Sequence, residues 1–591
     1  MIKILLKSGS QIFLLLLLCA LLVRFIEIYE RVIKMANKNL FKSSAPITAK
    51  SVNRTAKNVT VTNAVNNAGG VAYLKTQKNT LAQIAATNCF NGTYYVSAEE
   101  NLNLAKKAAL ALKSDPAFIA KVALYCRNKA YMKDMPAFLV AYLATIDSKL
   151  FRKVFPVVID NVKMLRTFIQ IGRSGAVGKT INMSSGTVRH AIRDWFASKS
   201  PEFIFKGSIG NDPSMRDVLR MSRPKPENAT KAALYAYLKD SEFSESEGVF
   251  ITRNKDKSVK YSNRFSDLPK IVKEYEAFKK NPSLEVPKLD FRMLDSICSK
   301  EQLKNIWKSQ AETGSWTITR MNLNNFAKYG VFDDPKMVDL VSSRLVDKKS
   351  ILDAKAYPYQ LMMAYSASDA TVPMKVRNAL QDAMEIALEN VPKFNGKTVV
   401  CVDTSGSMSS PVTGNRGTAT SSVTCIQVAA LFTAAILRKN PEAVILPFDT
   451  SVHSASSLNP RDSVMTNASK LQKFGGGGTD CGAALRHVNN LKQNFDNVIF
   501  ISDNESWAGG YSYSRGTGLM NEWLTFLKKN KDAKLVCIDL TPSRTSQVDS
   551  NSNILQVGGF GDQVFDVVNS FIEHGNSSDH WSDVIDSVSL D

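Results

Sequence analysis

The chain has 591 residues, of which 44% are hydrophobic and 22% charged, the balance of a folded protein with sizeable cores rather than of a disordered one. Its 75 Lys and Arg against 54 Asp and Glu give a formal net charge of +21. From Lys393 to the end the count is 16 basic against 19 acidic, so the preceding part carries an excess of 24 positive charges and is expected to meet a polyanion, most often nucleic acid. The five histidines are ungrouped, and the eight cysteines (Cys19, Cys89, Cys126, Cys298, Cys401, Cys425, Cys481 and Cys537) stand singly. That pattern argues against a zinc site, a histidine-based catalytic site and a dense disulfide framework, and for reduced, buried thiols in a cytoplasmic protein.

Residues 1–34 form an apolar N-terminal extension. Lys3 and Lys7 precede the run Ile12 to Val23, which Arg24 ends. The run is shorter than the roughly 17–25 residues of a membrane span. It has the size of a signal-peptide core, but Leu22-Val23-Arg24-Phe25 offers no small-x-small cleavage site, and Leu18 before Cys19 does not suit a lipoprotein signal. Translation is expected to start at Met35, with a membrane-targeting segment as the alternative, and no membrane partner is expected. Residues 35–75, rich in Asn, Thr, Ser, Lys and Ala, are expected to be a flexible basic arm.

Residues 76–392 read as helix after short helix. Leu102, Leu104, Ala105, Ala108, Ala109 and Leu112 recur near the 3.6-residue period, and Asp115-Pro116 and Met135-Pro136 open further helices with proline in the first turn. The pattern predicts an α-solenoid of stacked helix pairs. Basic side chains cluster at Lys121, Arg127, Lys129 and Lys133, then at Arg173, Lys179, Arg189, His190 and Arg193, then at Arg216, Arg220, Arg223 and Lys225. These are the candidate phosphate contacts, and the weight rests on their sum rather than on any one. Trp195 and Phe196 are read as core rather than as platforms for bases.

From residue 393 to 591 the pattern changes to alternating strand and helix. Strands are expected at Thr398–Val402, Ala443–Phe448, Val498–Ser502 and Lys534–Leu540, and helices at Val423–Arg438, Cys481–Leu491, Leu519–Leu527 and Gln563–Phe571. Such alternation predicts a parallel, doubly wound α/β sheet. The acidic end (Asp562, Asp566, Glu573, Asp579, Asp583, Asp586 and Asp591) is either a mate for a basic face or a solvated tail.

The first of these strands ends in Asp403, followed at alternate positions by Ser405 and Ser407. Gly475 to Gly478 lead into Thr479, and the strand at 498 ends in Asp503. Carboxylates and hydroxyls at the carboxyl ends of parallel strands suit a hard divalent cation, Mg²⁺ above all. Asp403, Ser405, Ser407, Thr479 and Asp503 resemble the metal-ion-dependent adhesion site of von Willebrand factor A domains, and the resemblance implies a protein partner at the cation. A second resemblance covers the chain from about residue 70. The segment from Asp115 to Arg127, Asp217-Val218-Leu219-Arg220-Met221-Ser222 and the segment from Tyr357 to Tyr365 are similar to the TROVE module of the Ro ribonucleoprotein family, which also precedes an A domain. It implies HEAT-like repeats closed into a ring by the A domain, holding single-stranded ends of defective RNA and small Y-like RNA, and passing RNA to an exoribonuclease. Met215 and Arg216 stand where the family carries a His-Lys pair, and Phe205-Lys206-Gly207-Ser208 replaces a more basic stretch, which bears on Y-like RNA recognition.

The expected function is thus a non-enzymatic RNA-binding protein. A metal-dependent adhesion module on a helical scaffold is the alternative. A hydrolase is disfavoured, because Asp-Thr-Ser-Gly-Ser lacks the Gly-x-Ser-x-Gly elbow of a serine nucleophile.

Overall fold

A computed structural model describes residues 61–590 except positions 63, 88–89, 185, 255, 290, 355, 415–422, 510–515, 552, 562, 576 and 578. The expected apolar extension, the Met35 start and the first part of the basic arm lie outside the described residues. Among those described, no helix is long and apolar enough to cross a membrane.

Two short strands open the described chain, β1 (Ala64–Val65) and β2 (Val71–Leu74). A run of helices follows, from Gln77–Thr87 to Ala229–Leu238. A small antiparallel sheet interrupts it, made of β3 (Glu242–Ser244), β4 (Val249–Arg253) and β5 (Val259–Arg264). Helices resume from Lys270–Lys280 to Met374–Ala387. The last part contains β6 (Thr398–Asp403), β7 (Val444–Phe448), β8 (Asn497–Ser502) and β9 (Lys534–Asp539), separated by helices, and then β10 (Thr545–Ser546) and β11 (Ile554–Gly558), reached from β9 without one.

The helices start where polar residues can take their free N–H groups. Asp115 accepts from the Phe118 N–H at 3.1 Å ahead of Pro116. Ser97 with Glu100, Ser214 with Asp217, and Ser299 with Gln302 each form a reciprocal capping box. Within this array Asp134–Ile146 packs on both Pro116–Asn128 and Ser148–Val158, and Met374–Ala387 packs on both Pro335–Leu345 and Pro358–Ser366. Between Lys270–Lys280 and Phe291–Leu294, Tyr275 Oη donates to the Met293 carbonyl at 3.3 Å. Trp195 and Phe196 are buried in the core, as expected.

The large sheet is wholly parallel, with strand order β11-β9-β8-β6-β7. Every residue of β6 and β8 is buried, the mark of strands covered on both faces. Successive side chains alternate between the two faces. Val400, Val402, Ile499 and Ile501 face the core shared with the helical array, while Val399, Cys401, Val498 and Phe500 face helices Cys481–Leu491 and Gly518–Leu527. This is the doubly wound arrangement that the alternation predicts.

The unit built on the large sheet from residue 393 onward, the A-type unit, touches the helical array at both of the array's ends. Near the start, helix His580–Asp586 packs on Pro116–Asn128: Trp581 Nε1 donates to Tyr125 Oη at 3.3 Å, and Ser582 Oγ donates to Asn79 Oδ1 at 2.8 Å. Asp586 pairs with Lys78 at 2.6 Å, and its carbonyl accepts from Lys121. Near the finish, helices Pro358–Ser366 and Met374–Ala387 pack on Cys425–Lys439 and Val464–Leu471. There Glu385 accepts from the Val464 N–H at 2.7 Å, and the Tyr357 ring stacks over Phe565. The contacts therefore run in a closed circuit, and a single apolar core spans it. The acidic end is not a solvated tail: helix His580–Asp586 forms the first seam, and Phe565 of helix Gln563–His574 belongs to the second.

The expected flexible arm needs a correction over its last residues. β2 pairs antiparallel with β1 and with β10, far away in sequence, and Tyr73 is buried in the A-type unit's core. Lys75 sits buried at the end of this strap, donating to Asp539 Oδ2 at 3.0 Å and Gln83 Oε1 at 2.5 Å. Composition reads as disorder here because the strap's partners lie hundreds of residues downstream. Tyr73→Ala should accordingly destabilise the A-type unit by about 3 kcal/mol, the usual scale for removing a buried aromatic ring. Urea denaturation followed by tryptophan fluorescence measures it, and an unchanged midpoint would show the strap to be dispensable.

Candidate metal centre and nucleic-acid interface

β6 and β8 are neighbours at the middle of the sheet, where successive connections leave in opposite directions, so their carboxyl ends open one crevice. Asp403 ends β6, and Asp503 follows β8. Asp403 Oδ1 accepts from the Ser405 N–H at 2.9 Å, and its Oδ2 accepts from Ser502 Oγ at 2.6 Å. Ser405 and Ser407 hydroxyls lie 3.3 Å apart, and the Ser407 hydroxyl also meets the Asp503 carboxylate and the Tyr95 phenol. Asp503 accepts in addition from the Glu505 N–H at 3.3 Å.

The glycine-rich loop is laced to this turn. The Gly406 N–H donates to the Gly477 carbonyl at 2.9 Å, and the Gly476 N–H to the Thr404 carbonyl at 2.8 Å. Gly475 has φ +76°, and a Cβ there would lie 2.2 Å from the Thr404 carbonyl oxygen, so only glycine fits. Thr479 follows, buried, with its carbonyl taking the N–H groups of Trp507 and Ala508 at 3.0 Å each. The five predicted oxygen donors are thus carried by three segments tied directly to one another.

The electrostatics of this crevice are uncompensated. Burial raises the Asp403 carboxyl above its usual range, against the hydrogen bonds from Ser502 and Ser405. Burial and then the Asp403 charge push Asp503 up to about 7. Glu505 is pushed up to about 8 by burial and then by Asp503. Among the described residues, neither Asp403 nor Asp503 forms an ion pair with a lysine or arginine. Nearby Asp539 is different, since Lys75 offsets part of its burial. Two buried carboxylates backed by three hydroxyls, with no counter-charge, fit a hard divalent cation by charge and by donor chemistry. Glu505 was not picked out from the sequence; its place two residues beyond Asp503 was the available signal.

A cleft opens beside this cluster and joins the two parts of the chain. Ser407, Asp503 and Glu505 line one side, and Asn67, Asn91, Tyr94 and Tyr95 the other. Tyr94 is exposed, as is Trp507, whose ring lies close against Gly478.

The candidate phosphate contacts divide into groups. Lys129, Arg173, Lys179, His190 and Arg220 are exposed. Arg173, at the end of helix Val162–Ser174, and Arg220, on helix Met215–Ser222, both help hold the Asp217 carboxyl below its usual range, behind the larger effect of its Ser214 hydrogen bonds. Arg193 Nε donates to the Ser222 carbonyl at 2.8 Å, which brings helix Gly186–Ser198, with Arg189 and His190, to the same place. Arg216 is exposed but pairs with Asp240 at 2.6 Å. Lys121 and Arg127 need correction as phosphate contacts. Lys121 is spent on Asp586 at the seam, and Arg127, largely buried, pairs with Asp160 at 2.6 Å. Their partners come from distant segments, so local charge clustering could not show it.

The comparisons with known proteins agree with this architecture. Residues 397–572 match the family model described as the Ro60 vWA domain. A protein of Deinococcus radiodurans named RNA-binding protein RO60 is 24% identical over 531 residues, covering 86% of this chain and 94% of that one. The RNA-binding protein RO60 of Caenorhabditis elegans is 24% identical over 291 residues, 46% of this chain and 42% of that protein. The crystal structure of the Deinococcus radiodurans RO (RSR) protein superposes with a TM-score of 0.57 at 19% identity, covering 84% of this chain and 99% of that one, and so shares the fold. The parallel-sheet unit is thus similar to the Ro60 vWA domain, and the helical array closed at both ends by that unit shares the fold of the Deinococcus radiodurans RO protein.

Proposed function

We propose that this protein binds RNA without transforming it, as the scaffold of a Ro-type ribonucleoprotein in the cytoplasm. The observation that carries the reading is the segregation of charge: the part of the chain before Lys393 holds all of the basic excess, while the A-type unit is slightly acidic. A large positive excess over a helical array attracts phosphates, and release of their counterions supplies binding free energy. The exposed groups that converge on helix Met215–Ser222, Arg173 and Arg220 foremost, are the contacts this reading favours. The names of the relatives support RNA as the ligand. Small noncoding RNA and the single-stranded ends of misfolded RNA are the substrates we assign, with an exoribonuclease as a partner that receives them.

We assign a divalent cation, Mg²⁺ foremost, to Asp403 and Asp503 with the hydroxyls of Ser405, Ser407 and Thr479. Bound there, it would neutralise the two buried carboxylates and link the ends of β6 and β8. An acidic group of a protein partner, entering beside exposed Trp507 and Tyr94, suits its remaining position.

Two measurements check these assignments. In filter binding of single-stranded RNA, affinity should fall steeply with salt. The double change Arg173→Ala and Arg220→Ala should reduce the magnitude of the log–log salt slope by about 1.4, at roughly 0.7 for each phosphate of a single strand that is no longer neutralised. Lys121→Ala should leave that slope alone and lower thermal stability instead. A slope that ignores the double change would remove these residues from the interface. For the cation, Mg²⁺ at a hundred times its Kd should stabilise the protein by about 2.7 kcal/mol. Asp403→Ala should abolish that gain in a thermal melt, and equal stabilisation of both proteins would place the ion elsewhere.

A further inference from the structure

We propose that Glu505 is a positioning residue of the metal centre and that residues 66–70 of the strap are the clamp that holds it, so that cation binding and strap seating reinforce each other. The inference rests on the cation assignment above and adds to it a set of residues outside the A-type unit's own sequence.

The contacts are specific to this loop. Glu505 is nearly fully buried, and its N–H donates to Asp503 Oδ1 at 3.3 Å. Its own carboxylate takes one donor from the strap on each oxygen: Asn67 Nδ2 at 2.8 Å on Oε1, and the Ala68 N–H at 3.2 Å on Oε2. The next residue is held in the same way. The Ser506 carbonyl accepts from Asn66 Nδ2 at 2.8 Å, while Ser506 Oγ donates to the Thr479 carbonyl at 3.1 Å and accepts from the Cys481 N–H at 3.1 Å. The strap therefore grips the short segment that connects Asp503 to Thr479, two of the assigned oxygen donors.

The strap itself is shaped for this grip. The Gly70 N–H donates to Asn66 Oδ1 at 2.7 Å, and the Asn66 N–H donates to the Gly70 carbonyl at 2.9 Å, closing a tight turn over the loop. A Cβ on Gly70 would lie 2.0 Å from the Ser506 carbonyl oxygen, so any larger residue must lift the strap away. Glu505, Asp503 and Ser407 also line the same cleft. A third buried carboxylate beside Asp403 and Asp503 costs free energy that two neutral N–H donors offset only partly, whereas a divalent cation beside it compensates the charge directly. Groups that orient metal-ligating carboxylates typically change affinity 10–100-fold when removed. Coupling of this kind is reciprocal: if the strap tightens the cation, the cation tightens the strap by the same factor.

The test uses the full chain with Mg²⁺ alone as the probe. Calorimetric titration gives Kd, a melt in chelator gives metal-free stability, and hydrogen exchange reads the amides of residues 64–75. Asn67→Ala, at an exposed position, and Gly70→Ala should each weaken Mg²⁺ binding about 10-fold or more, and Mg²⁺ should slow exchange across the strap in the unaltered protein. A purely structural role would lower the chelator melt and leave Kd unchanged, and that result overturns the clamp. If the unaltered protein binds Mg²⁺, Asp403→Ala does not, and both strap variants bind like the unaltered protein, the clamp alone fails. If the unaltered protein binds no Mg²⁺, the cation assignment falls and takes the clamp with it. Should Gly70→Ala fail to fold, Asn67→Ala still decides.

Discussion

The architecture depends on one constraint: the two ends of a long helical array are buried against the same parallel-sheet unit. At one seam Trp581 and Tyr125 meet edge to face with ring centroids 6.4 Å apart; at the other Tyr357 stacks over Phe565 at 6.5 Å. The apolar core runs without a break from the array through both seams to one face of the sheet. Ion pairs decorate the first seam, but Lys78 and Asp586 are each 36% exposed, so their pairing contributes roughly 0–1 kcal/mol. Burial of large side chains outweighs it, at about 25 cal/mol per Å² of apolar surface. The acids near the end of the chain therefore orient the seam more than they stabilise it.

That closure separates two kinds of chemistry. Each part has its own charge balance, which on the proposed reading draws a polyanion to the array rather than to the sheet. The sheet instead concentrates negative charge at its carboxyl edge. There Asp403 and Asp503 are buried side by side, and burial raises both carboxyls. A protein rarely holds such a pair without a compensating charge, and the neighbouring pair Lys75 and Asp539 shows the fold supplying one where the position calls for it. The contrast between these two sites, one neutralised internally and one left open at a cleft, gives the cation assignment its physical basis. The strap belongs to the same logic, since Lys75 and Asn67 come from a single short segment and act on adjacent strand ends.

Much of this was legible in the sequence, for identifiable reasons. Strands buried on both faces read as unbroken apolar runs, so β6 and β8 were visible as Val399–Val402 and Val498–Ile501. The oxygen donors lie at strand ends, where position along the chain determines position in space. The helical array was visible through its periodicity and prolines. What escaped were features set by distant partners. The strap at 64–74 is short and broken by Asn66-Asn67 and Gly69-Gly70, and it becomes strand because β10 offers an edge and the A-type core accepts Tyr73. Lys121 and Arg127 looked like phosphate contacts until Asp586 and Asp160 came beside them. The small sheet β3-β4-β5 had a local signal, the run Val249-Phe250-Ile251-Thr252 after Glu247-Gly248, that the surrounding helical pattern masked.

The central claim is a division of labour, with RNA held by the helical array while the A-type unit closes it. Photo-crosslinking of bound single-stranded RNA to the full chain, with the crosslinked peptides identified by mass spectrometry, tests it most directly. The account predicts crosslinks concentrated between residues 76 and 392, with peptides containing Arg173, Lys179 or Arg220 among them. Crosslinks concentrated beyond residue 393 would contradict it.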